Sequence, residues 1–141
     1  MKEDVALRER YLKDPLSVRV GGLAANLARV GSFSNDSRHE RLVAAMLEES
    51  KWFIEWAAGG APPDMQELLV ECQRQLARWQ VGWSEIWRDV NRRAEVAETA
   101  RIWSARLLEA SGLLEASGAY TDGGTEPNYG IQPSAQRPRR G

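Results

Sequence analysis

The feature that most constrains the fold of this chain is the spacing of its tryptophans. Five of the six recur at intervals of four residues in two groups, Trp52 with Trp56 and then Trp79 with Trp83 and Trp87. Residues four apart are neighbours on one side of an α-helix. Tryptophan is large and rarely occurs in such numbers without a packing role, so the spacing predicts helices with a crowded aromatic side.

The second tryptophan group belongs to the longest apolar pattern in the sequence. Apolar residues follow one another at alternating steps of four and three from Met65 to Val90. The average step of about 3.5 is typical of a helix with one buried side. Pro62-Pro63-Asp64 precedes the pattern, and proline is tolerated in the first turn of a helix. We therefore predict one long helix up to Val90, with the second tryptophan group in the core.

Similar patterns predict three further main helices. They cover residues 16–30, 37–57 and 90–114, and a short additional helix over 4–13 precedes them. Asp14 is a candidate cap for the first, which Gly31 would end, and Ser37 and Glu40 have the spacing of a capping box for the second. Four such helices with short connections predict an all-α antiparallel bundle of four main helices.

Composition sets the size and organisation of the protein. The 141 residues are 43% hydrophobic, which is enough for one globular domain with a core of its own. We predict that the bundle domain covers residues 1–118 and that residues 119–141 form a disordered tail. The tail is rich in Thr, Gly, Pro, Asn and Gln, so it buries too little apolar surface to offset the entropy of ordering.

The charge balance argues against two classes of partner. There are 19 basic and 20 acidic residues, a net charge of −1, so the chain lacks the positive field that attracts nucleic acid. The uncharged stretch from Val20 to Ala28 is far shorter than the roughly 20 residues that a membrane-spanning helix needs. A charged N-terminus without an apolar signal segment, and the single cysteine Cys72, predict a cytoplasmic protein.

Few residues in the sequence point to chemistry. His39 has no companion at metal-binding spacing, and Cys72 falls within the apolar pattern of a predicted helix, where cysteine is usually a small buried residue. We therefore predict no catalytic residue, no metal and no cofactor. An enzyme that uses Cys72 or His39 is the third of three functional alternatives.

Two groups of residues are candidates for a partner surface. Trp52 and Trp56 lie to the side of the apolar face of their helix, where they are either partly exposed or covered by the N-terminal segment or a crossing helix. The helix over 16–30 is apolar almost all round, yet it contains a glycine pair that costs about 1 kcal/mol per residue relative to alanine. Its small residues either pack against the chain's own helices or face a partner. They are Gly21, Gly22, Ala25 and Ala28.

These observations predict a protein that works by contact. The first hypothesis is a non-catalytic helical interaction or assembly module whose partner is another protein or a second copy of the chain. The alternative is a carrier of a flat hydrophobic ligand, such as a tetrapyrrole or a carotenoid, held within the bundle by Trp79, Trp83 and Trp87.

Two segments carry a resemblance to known sequences. Residues 14–30, DPLSVRVGGLAANLARV, and residues 47–56, LEESKWFIEW, resemble small uncharacterised all-helical proteins of cyanobacteria. The resemblance spans residues 8–114 and includes no motif with assigned chemistry, so it implies no catalytic residue. It implies a soluble cytoplasmic protein of a photosynthetic bacterium.

Overall fold

The computed structural model describes residues 5–112, which contain helices and no strand. The predicted all-α fold is therefore confirmed. The predicted tail over 119–141 and the predicted domain boundary at 118 lie outside the described residues. The helices are α1 (Val5–Lys13), α2 (Leu16–Phe33), α3 (Glu40–Ala58), α4 (Pro63–Val81), α5 (Trp83–Arg88) and α6 (Val90–Ser111), and a 3-10 turn (Ser37–His39) precedes α3.

Contacts between α2 and α3 show that these helices run in opposite directions. Near the start of α2, Arg19 Nη1 donates a hydrogen bond to the carbonyl oxygen of Trp56, near the end of α3, at 3.4 Å. Further along α2, Asn26 Nδ2 donates to Glu49 Oε1, in the middle of α3, at 2.9 Å. Since later residues of α2 contact earlier residues of α3, the two helices are antiparallel.

Helix α6 packs on α2 more extensively than any other pair of helices packs together. Ser104 Oγ donates to the carbonyl oxygen of Ala24 at 2.7 Å. Arg101 Nη2 donates to the carbonyl oxygen of Gly31 at 3.3 Å. The order of these contacts makes α6 antiparallel to α2 and places it beside α2 along most of that helix.

Helix α4 completes the bundle. It is antiparallel to α3, because Lys51 Nζ donates to Gln80 Oε1 at 2.8 Å near one end and Gln66 Nε2 donates to the carbonyl oxygen of Ala58 at 2.9 Å near the other. Helices α2, α3, α4 and α6 are therefore the four main helices of the bundle, and α1 is the short extra helix predicted at the N-terminus.

The core lies between these four helices and follows the predicted steps of three and four residues. The apolar side chains that are almost completely buried share one side of each helix. They include Val20, Leu23, Leu27 and Val30 in α2, Val43 and Leu47 in α3, Leu69, Cys72 and Leu76 in α4, and Val96, Ala100 and Leu107 in α6.

Helix α2 begins at Leu16 as predicted, but its predicted cap and its predicted C-terminal end are wrong. The helix continues through Gly31 to Phe33, and Pro15 occupies the position before its first turn without any side-chain cap from Asp14. A Cβ atom on Gly31 would lie 2.9 Å from Arg101 Cγ and 3.1 Å from the carbonyl oxygen of Ala97. Gly31 is therefore the point where α6 comes close to the α2 backbone, and it does not end the helix.

The predicted capping box of α3 is also wrong. Asp36 caps the 3-10 turn that precedes the helix, because its Oδ1 accepts a hydrogen bond from the backbone N–H of Arg38 at 2.9 Å. Helix α3 itself begins at Glu40 without a side-chain cap. The capping function that we assigned to Ser37 therefore belongs to the preceding carboxylate, one residue earlier in the sequence.

The single long helix predicted up to Val90 is interrupted. Helix α4 ends at Val81, and Gly82 has non-helical angles of φ −112° and ψ 31°. The short helix α5 that follows brings Trp87 to the connection between α2 and α3, where its indole Nε1 donates to the carbonyl oxygen of Ser37 at 2.9 Å. The break places Trp87 in the core but leaves Trp83 only half-buried.

Candidate contact surfaces

The first candidate surface, Trp52 with Trp56, is mostly covered. Trp56 is only 9% exposed, whereas Trp52 is half-buried and stacks on it with ring centroids 6.1 Å apart. Helix α1 covers this part of α3, as the ring of Tyr11 lies 5.8 Å from the ring of Trp56. Of the alternatives left open by the sequence, coverage by the N-terminal segment applies to Trp56, and partial exposure applies to Trp52.

Tyr11 is the buried residue through which α1 contacts the bundle, and Leu7 packs against the core as a partly buried residue. The ring of Tyr11 stacks on Phe53 with centroids 4.2 Å apart and planes inclined by 5°, and its hydroxyl donates to the carbonyl oxygen of Arg19 at 2.7 Å. Burial raises the pKa of Tyr11 well above its ordinary value, so the hydroxyl stays protonated and remains a donor. The sequence left coverage by this segment open as an alternative but did not single out Tyr11.

The second candidate surface is the outward side of α2. Ala25 and Ala28 are exposed, and Gly21 and Gly22 are half-buried. A Cβ atom on Gly22 would have no atom of the described residues within 4 Å. Close packing against the chain's own helices, one of the two alternatives left by the sequence, is therefore not observed at Gly22 within residues 5–112.

Sequence reasoning missed Asn26, a buried polar residue of α2 that bonds to α3. Asn26 is 1% exposed, and its Nδ2 donates to Glu49 Oε1 at 2.9 Å while its Oδ1 accepts a hydrogen bond from Arg29 Nη2. The sequence signal that could have identified this residue is a single amide side chain between two apolar residues of the α2 pattern. Because buried polar groups need partners, this amide ties α2 to α3 in one register.

The members of the second tryptophan group lie in different surroundings. Trp79 and Trp87 are buried in the core, so their rings pack against protein atoms. A groove of about 240 Å³ runs beside Trp79 between α4 and α6, with Arg92 and Glu95 at its edge. Trp83 lines a separate depression of about 400 Å³ that also includes Glu85. Trp79 and Trp83 therefore share neither depression, and the charged residues in both disfavour a carrier of a flat hydrophobic ligand.

The two residues considered for catalysis lie in unfavourable surroundings. Cys72 is completely buried, and burial raises its pKa to about 12, so the thiolate is scarce at neutral pH. His39 lies with Nε2 3.6 Å from Asp36 Oδ2 and its ring edge against Phe33. Hydrogen bonds from Arg38 hold the pKa of Asp36 well below its usual range, so this carboxylate is ionised and already occupied.

Residues 5–112 bring together no group of three His, Cys, Asp or Glu side chains that could hold a metal ion. None of the helices in that range combines the length and the apolarity that crossing a bilayer requires. Comparison of the chain with family models, with curated proteins and with solved structures finds no match. The resemblance to helical proteins of cyanobacteria therefore stays a prediction, and the proposals below rest on the geometry.

Proposed function

We propose that this protein is a non-catalytic helical interaction or assembly module that acts by contact with another protein. We further propose that contact is made by the α2 outer face, which consists of Val18, Gly21, Gly22, Ala25 and Ala28. The observation that carries the proposal is a glycine in the middle of α2 whose energetic cost no contact among residues 5–112 offsets.

Two of the three glycines inside α2, Gly31 and Gly22, differ in what they do for the fold. Gly31 allows α6 to approach, and a Cβ atom there would collide with Arg101 and with the backbone of Ala97. Gly22 has no such neighbour among the described residues, although glycine costs about 1 kcal/mol relative to alanine inside a helix. A contact with another protein that needs close backbone approach would account for this glycine.

The chemistry of the α2 outer face also fits a protein contact. Helix α2 contains no acidic residue, and Val18 on its outer side is 43% exposed. Its two cations are occupied elsewhere, since Arg19 donates to the carbonyl oxygens of Asp14 and Trp56, and Arg29 donates to Asn26. An uncharged surface of low relief is the kind that occurs at the centre of protein interfaces, where charged residues are depleted.

Two further parts of the proposal, the absence of a catalytic role and a cytoplasmic location, both rest on Cys72. The absence of a catalytic role is supported by the burial and raised pKa of Cys72. A reducing, cytoplasmic location is supported by the same residue, because a chain with one cysteine cannot form an intramolecular disulfide. The partner is a different protein or a second copy of the chain.

Variants of the α2 outer face test the proposal in the full-length protein. We expect Gly22→Ala to raise the free energy of unfolding by about 0.5 to 1 kcal/mol, because alanine favours the helix and meets no neighbour. We expect Ala25→Arg to leave folding within about 0.5 kcal/mol of wild type while abolishing contact with the partner. Chemical denaturation measures the first effect, and sedimentation together with affinity capture from the native host measures the second.

Ala45→Arg is the matched control, because Ala45 is an exposed alanine in the middle of α3 and the substitution adds the same charge. The proposal requires a self-association or a captured protein that wild type and Ala45→Arg share and that Ala25→Arg loses. If all three behave alike, the α2 outer face is not the contact surface. A loss of stability in Gly22→Ala would show that another part of this chain packs on it.

A further inference from the structure

Helix α1 is attached to the bundle differently from the four main helices. It has nine residues, Tyr11 is its one buried residue, and Val5 and Leu12 are exposed. Isolated helices shorter than about 12 to 15 residues are marginal in water, so α1 depends on its docking to stay helical. By contrast, α2 and α3 each bury seven residues.

The docking site of α1 is an aromatic surface on α3. We call it the α3 aromatic cluster, consisting of Trp52, Phe53 and Trp56. Tyr11 stacks on Phe53 at 4.2 Å and lies 5.8 Å from Trp56, while Trp52 extends the cluster toward solvent by stacking on Trp56. Phe53 in turn lies 5.9 Å from Trp56, so each ring of the cluster is in contact with another, and Tyr11 contacts two of the three.

The connection between α1 and α2 has the form of a hinge. It consists of Asp14 and Pro15, and Pro15 has the extended angles φ −59° and ψ 157°. The hydrogen bonds between α2 and α3 and between α2 and α6 involve no residue of α1. Rotation at Asp14 and Pro15 would give up the hydrogen bond from Arg19 Nε to the carbonyl oxygen of Asp14 at 3.0 Å, and it would leave the contacts between the main helices in place.

We infer that α1 is a releasable strap that covers the α3 aromatic cluster, and that its release makes this cluster available to a short helix carrying an aromatic side chain. The occupant is indicated by α1 itself, which seats a tyrosine on Phe53 and donates its hydroxyl proton to the backbone carbonyl of Arg19. Once α1 is released, two tryptophans with an adjacent phenylalanine form the kind of surface on which interface binding energy concentrates.

This strap adds a second, regulated contact surface to the proposed contact function and relies on that function for its use. Its test involves no partner protein. If the test of the strap fails, the proposal for the α2 outer face therefore still stands. If the test of the α2 outer face fails, the inference that α1 can be released still stands.

Hydrogen exchange of the wild-type, full-length protein tests release directly. We expect the backbone amides of residues 5–13 to exchange at least about 100-fold faster than the buried amides of α2 and α3, because the strap opens without global unfolding. Equal protection of α1 and α3 would overturn the inference. This measurement needs no variant, so it stands even if a substitution at Tyr11 prevents folding.

A peptide of residues 5–15 tests whether the released surface recognises a tyrosine-bearing helix. The host is the full-length Tyr11→Ala variant, and the readout is the indole N–H signal of each of the six tryptophans in a two-dimensional NMR spectrum. We expect Tyr11→Ala to shift the signals of Trp52 and Trp56 and to leave that of Trp103 unchanged. Adding the peptide should return both shifted signals toward their wild-type positions.

Two controls make the peptide experiment specific. The same peptide with Tyr11→Ala should bind the host at least about 10-fold more weakly, and the wild-type protein should bind the original peptide at least about 10-fold more weakly because its own strap competes. Tyr11→Phe, which keeps the stacking but loses the hydrogen bond, should shift the signals less than Tyr11→Ala. If both peptides bind alike, or if wild type binds as well as the host, the inference is wrong.

Discussion

Helix α6 is held by two different kinds of packing on its two sides. On the side of α2 the contacts are between small residues and backbone, with Gly31 against Ala97 and the hydroxyl of Ser104 on the carbonyl oxygen of Ala24. Because little side-chain volume separates the helices, they approach closely along much of their length. Hydrogen bonds from α6 side chains to α2 carbonyl oxygens add to the apolar contact.

On its other side, α6 meets α4 and α5 through large side chains. Trp103 is buried beneath the guanidinium of Arg106, which lies 4.4 Å from the centre of the ring and 3.7 Å from Glu71 of α4. Trp87 is covered by Arg93 of α6, at 5.4 Å. The backbones stay further apart here, and aromatic rings fill the space. The comparison teaches that one helix can pack through small residues on one side, where the backbones approach closely, and through large side chains on the other, where aromatic rings fill the wider space.

The largest effect expected from this comparison is at Trp87, on the aromatic side. Trp87→Ala removes a ring that is 3% exposed and leaves the carbonyl oxygen of Ser37 without its donor. We expect a loss of about 3 to 5 kcal/mol in the free energy of unfolding, measured by chemical denaturation. Trp83→Ala is the matched control, since this ring is only half-buried, and should cost about 1 to 2 kcal/mol. Equal losses would contradict the assignment of Trp87 to the core.

The second-largest loss of stability is expected at Gly31, on the side of α6 that packs closely on α2. Gly31→Ala places a Cβ atom 2.9 Å from Arg101 Cγ and 3.1 Å from the carbonyl oxygen of Ala97. We expect the variant to lose about 1 to 3 kcal/mol, despite the higher helix propensity of alanine, because α6 has to move away. Thermal and chemical unfolding measure the loss, and Gly22→Ala in the same helix should change stability in the opposite direction. A gain for both variants would mean that α2 and α6 are not closely packed.

The smallest effect concerns Cys72, in the core beside the aromatic side of α6. Burial raises the pKa of this thiol to about 12, so the folded protein keeps its proton while the unfolded chain loses it near its ordinary pKa of about 8.5. The protonated thiol of Cys72 therefore contributes its full stabilisation of the folded state below the unfolded pKa. This contribution is lost as the pH rises toward the folded pKa. From pH 8 to pH 10 we expect wild type to lose about 1 to 2 kcal/mol more than Cys72→Ala does. Parallel pH profiles for the two proteins would show that the thiol is not buried.

Much of the fold was predictable because it depends on local periodicity. The steps of three and four residues place Leu23, Leu47, Leu76 and Leu107 on the inner sides of their helices, and all four are buried. The same pattern places Trp103 on the inner side of its helix, and this ring is buried as well. Such predictions need only the helical repeat and the cost of exposing apolar side chains, and both can be read from a short stretch of sequence.

The candidate surfaces were less predictable. Trp56 falls outside the apolar stripe of α3, and its coverage depends on Tyr11, 45 positions earlier in the sequence. Helical periodicity describes which residues share a side of one helix, but it does not state which other helix meets that side. The α2 outer face, in contrast, was identified from its small residues alone, and its role as a partner surface stays a prediction.

The sequence by itself determined the fold class, the four main helices and most of their buried sides, because each of these follows from interactions within a few helical turns. Only the tertiary structure decided how each glycine is used. Gly31 lies inside a helix where α6 approaches it, Gly82 ends α4 so that α5 can turn Trp87 toward Ser37, and Gly22 faces open space among the described residues. The physical reason is that glycine has no side chain of its own to bury, so its role depends on the distance to the nearest neighbouring helix, and that neighbour comes from a distant part of the chain.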